Sequence, residues 1–230
     1  MLKWLDNFWY HHKWAVIISS FFAVFILIGI AQMATRTEYD LKMVYAGPSV
    51  MISDENTGKV RSVFAGFVEK DITGDGKKTV LLNAYSVLSD EQLKQMNDEA
   101  KKENDSVYYD SSLRENAIKD VSTLLATGEV TICLFDEYVY GRFAGRDFFV
   151  SLSDVLGYRP EKSYDDYAVC IGDTDFGKFF MTDGPIPEDT LICIRKPAYL
   201  TGSGDSKEMT EEYETALATF GKILGFKAPE

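Results

Sequence analysis

Twenty-one consecutive residues without a formal charge, Trp14 to Ala34, constrain this chain more than any other feature. As a helix rising 1.5 Å per residue, that run spans about 30 Å, the thickness of a bilayer's hydrocarbon core. Only Ser19, Ser20 and Gln32 interrupt it, so it lacks the polar face that a surface helix of a water-soluble core carries. Trp4, Trp9, Tyr10 and Trp14 collect on its N-terminal side, as aromatic rings do at a headgroup interface. A cleaved signal peptide would have a shorter apolar core and an A-x-A-like site, which Ala31-Gln32-Met33-Ala34 matches only loosely. The expectation is one transmembrane helix over residues 14–34, preceded by a cytoplasmic N-terminus (1–13). A spacer (35–40) and an extracytoplasmic domain (41–230) follow. The orientation comes from Lys3 and Lys13 before the helix, with His11 and His12 able to add partial positive charge. Beyond the helix, Arg36 is followed at once by Glu38 and Asp40.

The remaining part, about 195 residues, is the size of one domain and can bury a core without staples. Its surface is acidic: the chain's net charge is −12, and nearly all of it lies outside the apolar run. With no basic cluster to release counterions, nucleic acid is not an expected partner. Cys133, Cys170 and Cys193 each sit inside an apolar run, at spacings that fit neither C-x-x-C nor a zinc pattern. They read as buried free thiols acting as small hydrophobes.

Five apolar runs of strand length follow: Leu41–Tyr45, Thr79–Tyr85, Val130–Phe135, Tyr167–Ile171 and Thr190–Ile194. They are continuous rather than alternating, the pattern of strands covered on both faces. Helical spacing marks the stretches between them. Val50–Glu69 is the weakest, broken by Gly58 and Gly66. A second helix opens at Ser89, whose hydroxyl can cap free amides while Gln92 reaches back, and runs through Leu93 and Met96. A third starts near Ser112 and ends at Gly128, and the last covers Ser206–Leu224. The fold class expected is α/β, with three layers, a mainly parallel sheet of about five strands and flanking helices, behind one N-terminal transmembrane helix.

Ligands of open α/β sheets sit beyond the carboxyl ends of the strands. The candidate rim there is Tyr45, Ser86, Asp136, Glu137, Tyr138, Asp173 and Asp175. Asp136, Asp173, Thr174 and Asp175 are equally good helix caps or turn formers. Catalytic machinery is scarce. The only histidines, His11 and His12, precede the apolar run, so a Ser-His-Asp or Cys-His centre in the domain is excluded. No cofactor is expected. A carboxylate-based hydrolase is the third-ranked function. A weak calcium pattern, Asp71, Thr73 and Asp75 with Gly76, lacks the bidentate glutamate: position 12 is Leu82.

The stretches Leu124–Tyr138 and Phe149–Gly157 resemble part of an extracellular solute-binding protein. There a helix and a glycine lead into a strand delivering an aspartate. Together with Tyr39–Pro48, Asp71–Lys77 and Asp173–Gly177, the chain resembles uncharacterised membrane-anchored extracytoplasmic proteins of Gram-positive, Firmicutes-type bacteria. The resemblance implies one lobe of a binding fold held by a membrane helix in place of a lipobox cysteine. The function expected is non-catalytic binding of a small solute or a protein partner. The alternative is an envelope assembly protein that docks a partner through Tyr138, Tyr140, Phe143, Phe148 and Phe149, although the core is the ordinary place for such aromatics.

Overall fold

The structure, a computed structural model, describes residues 2–34, 38–48, 53–102, 111–181, 184–197 and 207–229. Expectations for residues 35–37, 50–52, 103–105 and Ser206 lie outside the described residues. The chain divides into two compact units, Met1–Glu38 and Tyr39–Glu230.

The first unit is one helix, α1 (Leu2–Ala34). Its segment Phe8–Ile30 contains an 18-residue window with a mean hydropathy of 2.2 and is long and apolar enough to cross a membrane. The large side chains Ile17, Phe21, Phe22, Phe25, Leu27 and Ile30 are all exposed. An apolar surface of that extent calls for an apolar environment.

The second unit is a five-stranded sheet in the order β2-β1-β3-β5-β4, built from β1 (Leu41–Gly47), β2 (Val80–Ser86), β3 (Ile132–Phe135), β4 (Ala168–Cys170) and β5 (Leu191–Ile194). β1 pairs in parallel with β2 (Leu41 opposite Val80) and with β3 (Met43 opposite Ile132). β5 runs against both neighbours, with Cys133 opposite Cys193 and Val169 opposite Ile192. Four strands therefore share a direction and β5 is reversed. A parallel return needs a crossover, usually a full helix. Among the described residues between β4 and β5, the helical elements are a 3-10 turn (Ile171–Asp173) and α7 (Asp175–Phe180), and β5 comes back beside β4 antiparallel.

Helices cover both faces, which is why the strands read as continuous apolar runs. On one side Leu41, Met43, Tyr45 and Leu134 pack under α2 (Asp54–Phe67), α6 (Leu152–Leu156), α7 and α8 (Lys207–Leu224). On the other, Val44, Ala46, Cys133 and Phe135 meet α4 (Ser111–Thr127) and α5 (Glu137–Phe143). α3 (Asp90–Lys102) opens with the expected reciprocal cap. Gln92 N–H donates to Ser89 Oγ at 3.1 Å, and Ser89 N–H donates to Gln92 Oε1 at 2.8 Å. Gly128, at φ 82°, ends α4. Cys133 and Cys193 are buried free thiols as expected, whereas Cys170 is half-buried. The aromatic docking face does not form: Tyr140, Phe143 and Phe149 are core residues. Phe143 and Phe149 meet Phe135 in tilted and edge-on contacts, and Tyr140 stacks on Phe149.

The amino-terminal edge of the sheet is closed by two buried charges. Asp40 is fully buried. One oxygen accepts the amides of Ile72 (2.7 Å) and Thr73 (3.1 Å), and the other accepts the amide (2.6 Å) and hydroxyl (2.9 Å) of Thr79. Burial pushes its carboxyl up, but those hydrogen bonds outweigh the effect and hold it below the usual carboxylate range. Arg195 is 4% exposed and donates to the carbonyls of Val130 (2.5 Å), Lys196 and Gly128 (3.4 Å). Gly128 lies just past α4, where the helix dipole favours a cation.

Candidate functional site

At the opposite edge, the carboxyl ends of β1, β2 and β3 meet the entry to β5. An open groove of about 590 Å³ lies there, lined by Asp90, Glu91, Gln92, Gln95, Asp136, Glu137, Tyr138 and Asp189, with Ser89 at its end. Each element contributes for a local reason. β3 ends at Phe135, and Asp136 then caps α5, its Oδ1 accepting the Tyr138 amide at 2.9 Å. The first residues of α5, Glu137 and Tyr138, are thereby aimed along the groove. The cap of α3 sets Gln92 across from them, and Gln92 Nε2 donates to Asp136 Oδ2 at 2.9 Å. The two helix starts are therefore tied together through one carboxylate.

The end of β1 lies against Asp136. Tyr45 is fully buried and its hydroxyl donates to the Pro48 carbonyl at 3.1 Å. Burial pushes its phenol pKa well up, and the nearby negative charges of Asp136 and Asp189 add to the rise. Gly47 is required beside it. A Cβ there would sit 2.8 Å from the Tyr45 hydroxyl oxygen and 3.0 Å from Asp136 Cβ.

Two of the remaining wall carboxylates, Asp90 and Glu137, also have partners. Asp90 Oδ1 accepts from Arg114 Nη1 at 2.6 Å. The same guanidinium lies over the Tyr138 ring, 5.9 Å from its centroid. The hydrogen bond to Asp90 raises the Arg114 pKa above its ordinary value. Glu137 accepts from the hydroxyl of the exposed Tyr164 at 2.8 Å. Glu91 points from the first turn of α3 with its side chain exposed.

Of the rim residues expected from sequence, Asp136, Glu137 and Tyr138 line this groove, and Tyr45 is buried beside Gly47 and Asp136 without lining it. Ser86 ends β2 in register with Gly47, half-buried at the same edge. Asp173 and Asp175 are not brought to it. Asp173 closes the 3-10 turn after β4. Asp175 begins α7, where Thr174 is the cap, and accepts from Lys227 at 3.2 Å. Asp189, Asp90, Glu91 and Gln95 were not expected. Asp189 reaches the groove because β5 is reversed, which places its start at the rim. A hint for α3 was present, since the cap at Ser89 follows the end of β2 by three residues.

The calcium pattern is a closed turn. Asp71 Oδ1 accepts the Gly74 amide (2.7 Å) and Thr73 hydroxyl (3.1 Å), Asp71 Oδ2 accepts the Gly76 amide (2.8 Å), and Asp75 accepts the Lys77 amide (2.8 Å). Gly74 and Gly76 supply the positive φ angles, 71° and 79°. Among the described residues, no group of three or more His, Cys, Asp or Glu side chains is placed to hold a metal ion.

The groove can attract positive charge and present hydrogen-bond acceptors over a wide, shallow surface. It is not an enclosed pocket of the kind that surrounds a small molecule. No family model, curated protein or solved structure matches this chain.

Proposed function

We propose that this chain is a membrane-tethered, non-catalytic docking domain. Its N-terminal helix anchors it, its N-terminus lies inside the cell, and the acidic groove outside receives a basic segment of another envelope component. The observation that carries this reading is the gathering of Asp90, Glu91, Asp136, Glu137 and Asp189 around one open groove. Complementary charge of that kind steers encounter and selects partners. The groove's openness favours a macromolecular segment over a solute, which a binding site normally buries almost completely. The internal ties of Asp136 and Gln92 give the wall a fixed shape, so little ordering is lost on docking.

Solute capture by a single lobe is the second reading, supported by the position of the groove at the carboxyl ends of the strands. One experiment separates the two. The full chain in lipid nanodiscs is titrated with a lysine- and arginine-rich peptide and with an uncharged peptide of equal length, and is screened by thermal shift against sugars, amino acids and divalent ions. Docking predicts binding of the basic peptide alone. A thermal shift with a small solute and none with peptide would replace docking by solute capture. A reporter fused after residue 230 reads sidedness independently: activity on the cytoplasmic side would overturn the extracytoplasmic placement.

A further inference from the structure

Two of the three cysteines stand directly opposite one another in the middle of the sheet. Cys133 of β3 is in register with Cys193 of β5. Both are fully buried. Residues directly opposite in an antiparallel pair have Cα atoms about 4.5 or 5.5 Å apart, and both spacings fall inside the range a disulfide spans. Cys170 is elsewhere: it stands opposite Leu191, and its thiol donates to the Glu188 carbonyl at 3.0 Å.

We propose that Cys133 and Cys193 close into a cross-strand disulfide when the domain folds under oxidising conditions, with Cys170 left as a thiol. The setting rests on the extracytoplasmic placement proposed above, since such bonds persist in oxidising compartments. The oxidant is a small-molecule or protein disulfide. One cysteine thiolate attacks it and releases one thiol, forming a mixed disulfide. The second cysteine then displaces the other thiol. Two protons and two electrons leave the cysteine pair and reduce one disulfide to two thiols, so the exchange balances. Burial pushes the Cys193 thiol up, and the neighbouring Cys133 adds to this. The folded, reduced pair is therefore protonated and slow to react, and the bond forms before the core closes. It would join β3 to β5 across a segment of about 60 residues.

The test uses the full chain in detergent, denatured, reduced and refolded with glutathione and glutathione disulfide, then acid-quenched and mapped by non-reducing peptide mass spectrometry. The expected product is a 133–193 link in chains with native far-ultraviolet circular dichroism. Its unfolding midpoint should rise by about 5–10 °C over the reduced form, and a dithiol should reverse the rise. Cys170→Ser should still form the link and Cys133→Ser should not. A link through Cys170, three free thiols in refolded chains, or a 133–193 link found only in misfolded chains would each overturn the proposal. The sidedness reporter described above is a separate readout, so a cytoplasmic domain and an unreactive cysteine pair are distinguishable.

Discussion

The two edges of the same sheet handle charge in opposite ways. At the amino-terminal edge Asp40 and Arg195 are withdrawn from water, and each is surrounded by backbone groups: amides around the carboxylate, carbonyls around the guanidinium. At the carboxyl edge the exposed carboxylates Asp90, Glu91, Glu137 and Asp189 stand around an open groove, while Asp136 is buried and tied to Gln92 and the Tyr138 amide. One edge uses charge to fix the fold and the other leaves it facing outward. Charge that is buried and fully hydrogen-bonded belongs to stability, and charge held in place at an open rim is available to a partner.

That contrast predicts its largest effect at Asp40. Asp40→Ala leaves the Ile72, Thr73 and Thr79 amides without their acceptor and should cost about 4 kcal/mol in chemical denaturation. A cost below about 1 kcal/mol would break the comparison. The pH dependence sharpens it. Because the folded-state pKa of Asp40 is depressed, its contribution is fully present above about pH 4 and is lost as pH falls through the folded value. Acid titration of the unfolding midpoint should be shallower in Asp40→Asn than in the parent chain. Gly47→Ala comes next. Its methyl group would press on Tyr45 and Asp136 at 2.8–3.0 Å and should cost about 2 kcal/mol. The smallest stability effect belongs to the rim: Glu91→Gln and Glu137→Gln should each stay within about 0.5 kcal/mol.

Much of the fold was legible because its signals are local. Both faces of β1 are buried, so its residues apart from the half-exposed Lys42 are apolar without alternation. The cap of Ser89 by Gln92 and the glycine stop at Gly128 are written in single side chains. The direction of β5 is not local: Leu-Ile-Cys-Ile reads the same in either sense, and only the short return through α7 decides it. One difference at the site follows from that reversal: Asp189 arrives at the groove unannounced. The other follows from strand order, since Asp173 and Asp175 come after β4, which stands at the end of the sheet beyond β5. The short helices α5, α6 and α7 span two turns or less, too few for periodicity to register. Tyr45 was legible as the end of a strand. That its ring is buried beside Gly47 rather than open to the rim depends on which face of β1 it occupies.

The docking account is tested most directly by the salt dependence of basic-peptide binding to the full chain in nanodiscs. The parent chain is compared with a Glu91→Gln, Glu137→Gln, Asp189→Asn variant of unchanged melting behaviour. The account predicts that parent affinity falls about tenfold or more between low and physiological salt, and that the variant binds weakly at both. Equal, salt-insensitive binding by the two chains would contradict it.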